Sequence, residues 1–167
     1  MNNVKSEWNQ RYKNAGIPAG QTNPWEVMLF SLLTRTYLWV LRHVQFTSED
    51  EILDLGCGGG TPCLYLAWRY KSRCTGIDLA DQGIIHAQQN CTALKLTSRC
   101  EFQTAEILDF LFRTEKKYNR IVLFQSLEYF PDKNQLISAL LPVMAPQGQL
   151  ILVTPRTVNP PWGTKSW

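Results

Sequence analysis

The sequence predicts an α/β protein with a doubly wound, mostly parallel sheet behind an N-terminal helical cap, and three observations carry this. The run Glu51-Ile52-Leu53-Asp54-Leu55-Gly56-Cys57-Gly58-Gly59-Gly60 joins a buried strand to a glycine-only turn. A helical segment follows that turn at once. After it, short apolar runs rich in β-compatible residues alternate with helical segments to about residue 154, the repeated βα pattern of a parallel sheet.

Taken in order, residues 4–13 read as a helix and NAGIPAGQT as a loop. Asn23 followed by Pro24 then caps a long amphipathic helix to about Val44. Strands are expected over 51–55, 73–78, 100–104, 120–124 and 149–154, with helices over 61–71, 81–96, 108–113 and 132–144 between them. Thr61 is expected as the N-cap of the first of these helices, with Pro62 at its first position. The expected division is a cap or lid over residues 1–47 and a core over 48–167.

With 167 residues, of which 44% are hydrophobic, the chain is long enough to bury a full core as one globular domain. A formal charge of +3 without any Lys/Arg block gives no basis for an extended nucleic-acid groove, and small acceptors are favoured. The five cysteines form no C-x-x-C pair and are odd in number, so neither a metal site nor a disulfide framework is suggested, and reduced thiols fit a cytoplasmic location. MNNVKSEWNQRY lacks the apolar core of a signal peptide, and the apolar stretch from Trp25 to Val44 is broken by Glu26, Arg35, Arg42 and His43, so no membrane role is expected.

Glycines at 56, 58 and 60 accept positive φ and leave no Cβ between the backbone and a ligand. A dinucleotide fingerprint would require glycine at 61, where Thr61 stands. G-x-G-x-G after the strand-end Asp54 instead resembles the class I S-adenosylmethionine-dependent methyltransferases, and the likeness covers nearly all of residues 51–155. It implies a Rossmann-like core with strand order 3-2-1-4-5, the family's sixth and seventh strands being missing after the fifth. GIDLADQGIIHA looks like the second strand and its helix, which implies that Asp78 accepts the ribose hydroxyls and Leu79 lies against adenine. A carboxylate about 20 residues past the glycines is suited to that role, capping of the next helix being the plainer alternative. FQTAEILDF resembles the segment after the third strand, which implies that Glu106 accepts from the adenine amine and the Ile107 N–H meets the ring. YNRIVLFQSLEYFPD is similar to the fourth strand and its loop, placing Phe124 and Gln125 at the methionine end, while Asp54, Gly56, Cys57, Gly58 and Gly60 form the cofactor turn.

The chain departs from the family at Asn119, where an acidic residue is usual, and at Tyr129, where a histidine is common. Glu128 and Tyr129 are then the candidate catalytic groups, His86 being better read as an ordinary helix residue. Asn159-Pro160-Pro161-Trp162 is similar to an amine-holding motif but follows the fifth strand instead of the fourth, so it reads as a stiffened tail. SEWNQRY and NPWEVMLF resemble the lids of small-molecule methyltransferases, with Trp8, Tyr12 and Trp25 covering the cofactor. The expected activity is methyl transfer from S-adenosylmethionine to a small-molecule acceptor. The alternatives are a non-catalytic cofactor-binding protein and a truncated subunit that partners another methyltransferase chain; an open fifth-strand edge also suggests a homodimer.

Overall fold

The computed structural model describes residues 2–14, 39, 40 and 42–154. Trp25, most of the expected 23–44 helix and the 159–162 motif lie outside the described residues. The elements run α1 (Asn2–Asn14), β1 (Glu51–Leu55), α2 (Thr61–Tyr70), β2 (Arg73–Asp78), α3 (Asp81–Ala93), β3 (Cys100–Thr104), α4 (Ile107–Arg113), β4 (Tyr118–Phe124), a 3₁₀ turn (Leu127–Tyr129), α5 (Lys133–Leu140), a second 3₁₀ turn (Leu141–Val143) and β5 (Met144–Val153). The strands form one sheet in the order β3-β2-β1-β4-β5, and every pairing is parallel.

Parallel strands need crossovers, and the helices that supply them divide the core in two. Cys63, Leu64 and Ala67 of α2 pack with Ile84, Ala87 and Cys91 of α3 on one face; Leu111 of α4 and Leu136, Ala139 and Leu140 of α5 pack on the other. β1 lies at the centre, so Ile52 and Leu53 point to opposite faces and are both fully buried. Each such side chain contributes about 2 kcal/mol through burial. All five cysteines are buried and free.

Several boundaries differ from the sequence expectation for local reasons. Gly60, not Thr61, is the N-cap of α2, in a left-handed conformation with φ 77° and without a side-chain cap. α3 stops at Ala93 because Leu94 closes it and Lys95 takes φ 57°. The second 3₁₀ turn, with Pro142 in it, replaces the last turn expected of α5. β5 begins five residues before the expected 149 and pairs with β4 through an irregularity between Tyr118 and Arg120.

At the amino ends of the strands the Glu51 carboxylate pairs with Arg73 and Lys116, and its N–H donates to Asn119 Oδ1 at 2.9 Å. The departure at Asn119 therefore fastens β1 to β4 at the end of the sheet away from the glycine turn. β5 is an edge strand whose Leu152 is 43% exposed. No described helix is long and apolar enough to cross a membrane.

Candidate functional site

The strand order reverses between β1 and β4, which opens a crevice at the carboxyl ends of the strands. The glycine turn sits there. Gly56, Gly58 and Gly60 have φ of 82°, 53° and 77°, a region that costs an L-residue roughly 1–2 kcal/mol. The turn is tied to β2 because the Gly56 and Cys57 N–H groups both donate to the Ile77 carbonyl, at 2.8 and 3.1 Å. A Cβ on Gly60 would meet Phe102 at 2.7 Å and Ala87 at 2.8 Å, and one on Gly58 would meet the Tyr12 hydroxyl at 2.1 Å. Backbone freedom and close packing thus both demand glycine here.

Asp78 ends β2 beside the turn. Its Oδ2 accepts from the Gly58 N–H and its Oδ1 from the Ala80 N–H, each at 2.8 Å. Burial pushes its carboxyl up from the ordinary range, and the N–H groups of Ala80, Gly58 and Leu79 oppose that. The Asp78 carboxylate clasps the glycine turn to the start of α3.

Asp54, beneath the turn, is 1% exposed. Burial pushes its carboxyl up to about 7; the Cys63 thiol, which donates to Oδ2 at 3.6 Å, pulls it down, and Asp78 raises it further. Its Oδ1 has no hydrogen-bond partner. Cys57 presents only its backbone to the crevice, since its side chain is buried against Gly76. The Phe124 ring is likewise buried, in the core on the α2 and α3 face of the sheet.

The β4 side is assembled differently. Gln125 leaves the strand with φ 53°, and its N–H donates to the Val153 carbonyl at 2.7 Å. That kink turns Ser126 inward, where its Oγ donates to the Leu55 carbonyl at 2.7 Å and its Cβ would lie 2.7 Å from a Cβ on Gly56. The sequence gives no sign of Ser126's role, because its partner is 71 residues away. Glu128 is exposed, and Tyr129 is partly buried. Burial, then Glu128, raise the Tyr129 hydroxyl above its ordinary value, against Arg11. Glu106 caps α4, its Oε2 accepting from the Asp109 N–H at 3.0 Å, which engages one of its two oxygens. Ile107 opens that helix, and Leu79 adjoins Asp78. His86 lies along α3, its buried Nδ1 without a partner.

α1 spans the crevice. Trp8 meets Tyr129 edge-on with ring centroids 5.4 Å apart and lies 6.1 Å from Tyr12, while Arg11 stacks over the Trp8 ring at 4.8 Å. On the β2 side, Lys5 pairs with Asp81 at 2.9 Å and Asn9 Oδ1 accepts from the Gln82 N–H at 3.0 Å. The structure therefore brings Tyr12, Gly58, Asp78 and Tyr129 to one mouth. Among the described residues no three His, Cys, Asp or Glu side chains are placed to hold a metal ion.

A parallel sheet with a glycine turn and an acidic strand end across one crevice defines a Rossmann-like domain of the nucleoside-cofactor kind. The family follows from comparison: a methyltransferase-domain model matches residues 46–164, and the chain belongs to the S-adenosylmethionine-dependent methyltransferase family. Tocopherol O-methyltransferase of Arabidopsis thaliana is 33% identical over 120 residues, covering 68% of this chain and 34% of that protein. Ajmaline N-methyltransferase of Rauvolfia serpentina is 27% identical over 104 residues, covering 62% of this chain and 35% of that protein. The chain thus spans about a third of the length of these curated relatives. Among solved structures, geranyl diphosphate C-methyltransferase from Streptomyces coelicolor A3(2), in complex with Mg2+, geranyl diphosphate and S-adenosyl-L-homocysteine, superposes with a TM-score of 0.71 at 17% identity, covering 92% of this chain and 63% of that one. At that identity the likeness concerns the fold.

Proposed function

We propose that this chain binds S-adenosylmethionine at the carboxyl ends of β1, β2 and β4 and transfers its methyl group to a small-molecule acceptor. The observation that carries the reading is the clasp between the glycine turn and Asp78. Three positive-φ glycines set the path of the turn at the carboxyl end of β1, and the carboxylate beside them stands at a helix start next to Leu79. These residues fit an adenosyl group: the Asp78 carboxylate accepts the ribose hydroxyls, Leu79, Glu106 and Ile107 bound the adenine, and the turn, Tyr12 and Gln125 face the methionine end, with Asp54 supporting the turn from beneath.

When bound, S-adenosylmethionine supplies a methyl group already activated on a sulfonium. The protein's task is then to align an acceptor and exclude water. Trp8, Tyr12 and Tyr129 perform the exclusion, as apolar rings gathered over the mouth. Tyr129 keeps its proton at neutral pH, so it donates a hydrogen bond and orients the acceptor; Glu128 takes a proton where the acceptor must lose one. The relatives are named for O-, N- and C-methylation, so the acceptor atom is set by the mouth and not by the cofactor cradle.

Incubation with S-adenosylmethionine and a panel of phenols, amines and prenyl compounds, read as release of S-adenosylhomocysteine, tests the proposal. Acceptor-dependent release is expected. Cofactor binding without release across the panel would favour the non-catalytic alternative.

A further inference from the structure

α3 lacks a side-chain cap of its own: Ala80 occupies the N-cap position, in an extended conformation, and has no side-chain oxygen to offer. The first turn of a helix leaves its N–H groups without intrahelical partners, and an N-cap oxygen usually accepts from the second or third of them. Here the second helical residue, Gln82, donates its N–H to Asn9 Oδ1 at 3.0 Å, from a residue 73 positions away on α1. The capping group therefore arrives from another element. The same turn carries Asp78, whose Oδ1 holds the Ala80 N–H at 2.8 Å, while Lys5 pairs with Asp81 at 2.9 Å. Lys5 holds the Asp81 carboxyl below its ordinary range, with Thr104 and Asn9 adding to the effect. Gly83 lets the turn approach closely, since a Cβ there would lie 3.1 Å from the Gly58 backbone and 3.2 Å from Tyr12.

We propose that Asn9 is a positioning residue of the cofactor site: by capping α3 from α1, it fixes the turn from 78 to 82 and so holds the Asp78 carboxylate facing the crevice. This rests on the cofactor reading above. It joins the lid to the ribose clamp through that one bond, so that the Asn9 Oδ1 must be in place for Asp78 to be correctly aimed.

The test is a double-mutant cycle on the full chain, read as S-adenosylhomocysteine affinity by calorimetry, with amide exchange at Gln82 measured on the ligand-free proteins. Asn9→Leu keeps the side-chain size and removes the acceptor; it is expected to weaken binding about five-fold, in line with the loss of one cap, and to accelerate Gln82 exchange. In an Asp78→Asn background the same change is expected to cost less than about two-fold, because it acts through Asp78. Trp8→Ala loosens α1 at its other contact without touching the cap, and should weaken binding by the same factor in both backgrounds. An Asn9→Leu effect equal in both backgrounds, or unchanged Gln82 exchange, would overturn the assignment. If the wild-type chain binds no S-adenosylhomocysteine, the cofactor reading itself fails; faster Gln82 exchange in Asn9→Leu would then leave the cap standing and its positioning role refuted.

Discussion

On the β2 side of the crevice, Gly56, Gly58 and Asp78 are fixed by backbone hydrogen bonds to Ile77, Ala80 and one another, within two adjacent strands and their turns. On the β4 side, Gln125, Ser126 and Tyr129 are held by a strained kink, a bond back to Leu55 and a ring brought in by α1. The first side is rigid because its neighbours leave no room: even a methyl group on Gly60 has nowhere to go. The second is a composite of separate elements joined by side chains. A cradle for the constant part of a reaction belongs on the first, with Gln125 reaching it from the second, and the surface that sets the acceptor belongs on the rest of the second, which is how the proposed function divides them.

The largest expected effect separates the sides by stability. Gly60→Ala must place a Cβ at φ 77° against the Phe102 ring and Ala87, and is expected to destabilise the fold by about 3 kcal/mol in urea unfolding. A loss under about 1 kcal/mol would show the turn to be as adaptable as the β4 side.

A smaller effect should appear with pH. The folded protein retains the Asp54 proton up to about pH 7, whereas the unfolded chain releases it near about pH 4. Between those values the folded state binds more protons, so stability falls as pH rises and levels off above the folded value. Asp54→Asn, which stays neutral, should therefore gain on wild type by about 2 kcal/mol between pH 5 and pH 8. Parallel stability curves for the two proteins would place Asp54 in a far more polar setting than its burial implies.

The smallest effect runs the other way. Gln125→Gly relieves a positive φ and is expected to leave stability unchanged or raise it by up to roughly 1 kcal/mol, while weakening S-adenosylhomocysteine binding. A destabilised variant with unaltered binding would make Gln125 a structural residue and erase the contrast between the two sides.

The β2 side was legible in the sequence because its determinants are local. Glycine spacing, a strand-end carboxylate and β-compatible runs predicted β1, β2 and β3 to the residue, while the order of all five strands came from the family resemblance. Ends set by single backbone conformations were less legible: Thr61 looked like a cap, yet Gly60 takes that place in a left-handed turn. Long-range partnerships left no trace. Ser126 on Leu55 and Asn9 on Gln82 join residues far apart in sequence, and neither bond has a local sequence signal.

The central claim is that the crevice holds an adenosyl cofactor through Asp78. Calorimetric titration of S-adenosylhomocysteine into the wild-type chain and into Asp78→Ala, with unfolding curves confirming that both are folded, tests it most directly. Asp78 also accepts from the Gly58 and Ala80 N–H groups, so its removal is expected to cost about 1–2 kcal/mol of stability as well. The account predicts one site on the wild-type chain and binding about ten-fold or more weaker in the variant, the factor expected when ribose hydroxyls lose their acceptor. Absence of binding to the folded wild-type chain, or equal affinity in the two proteins, would contradict it.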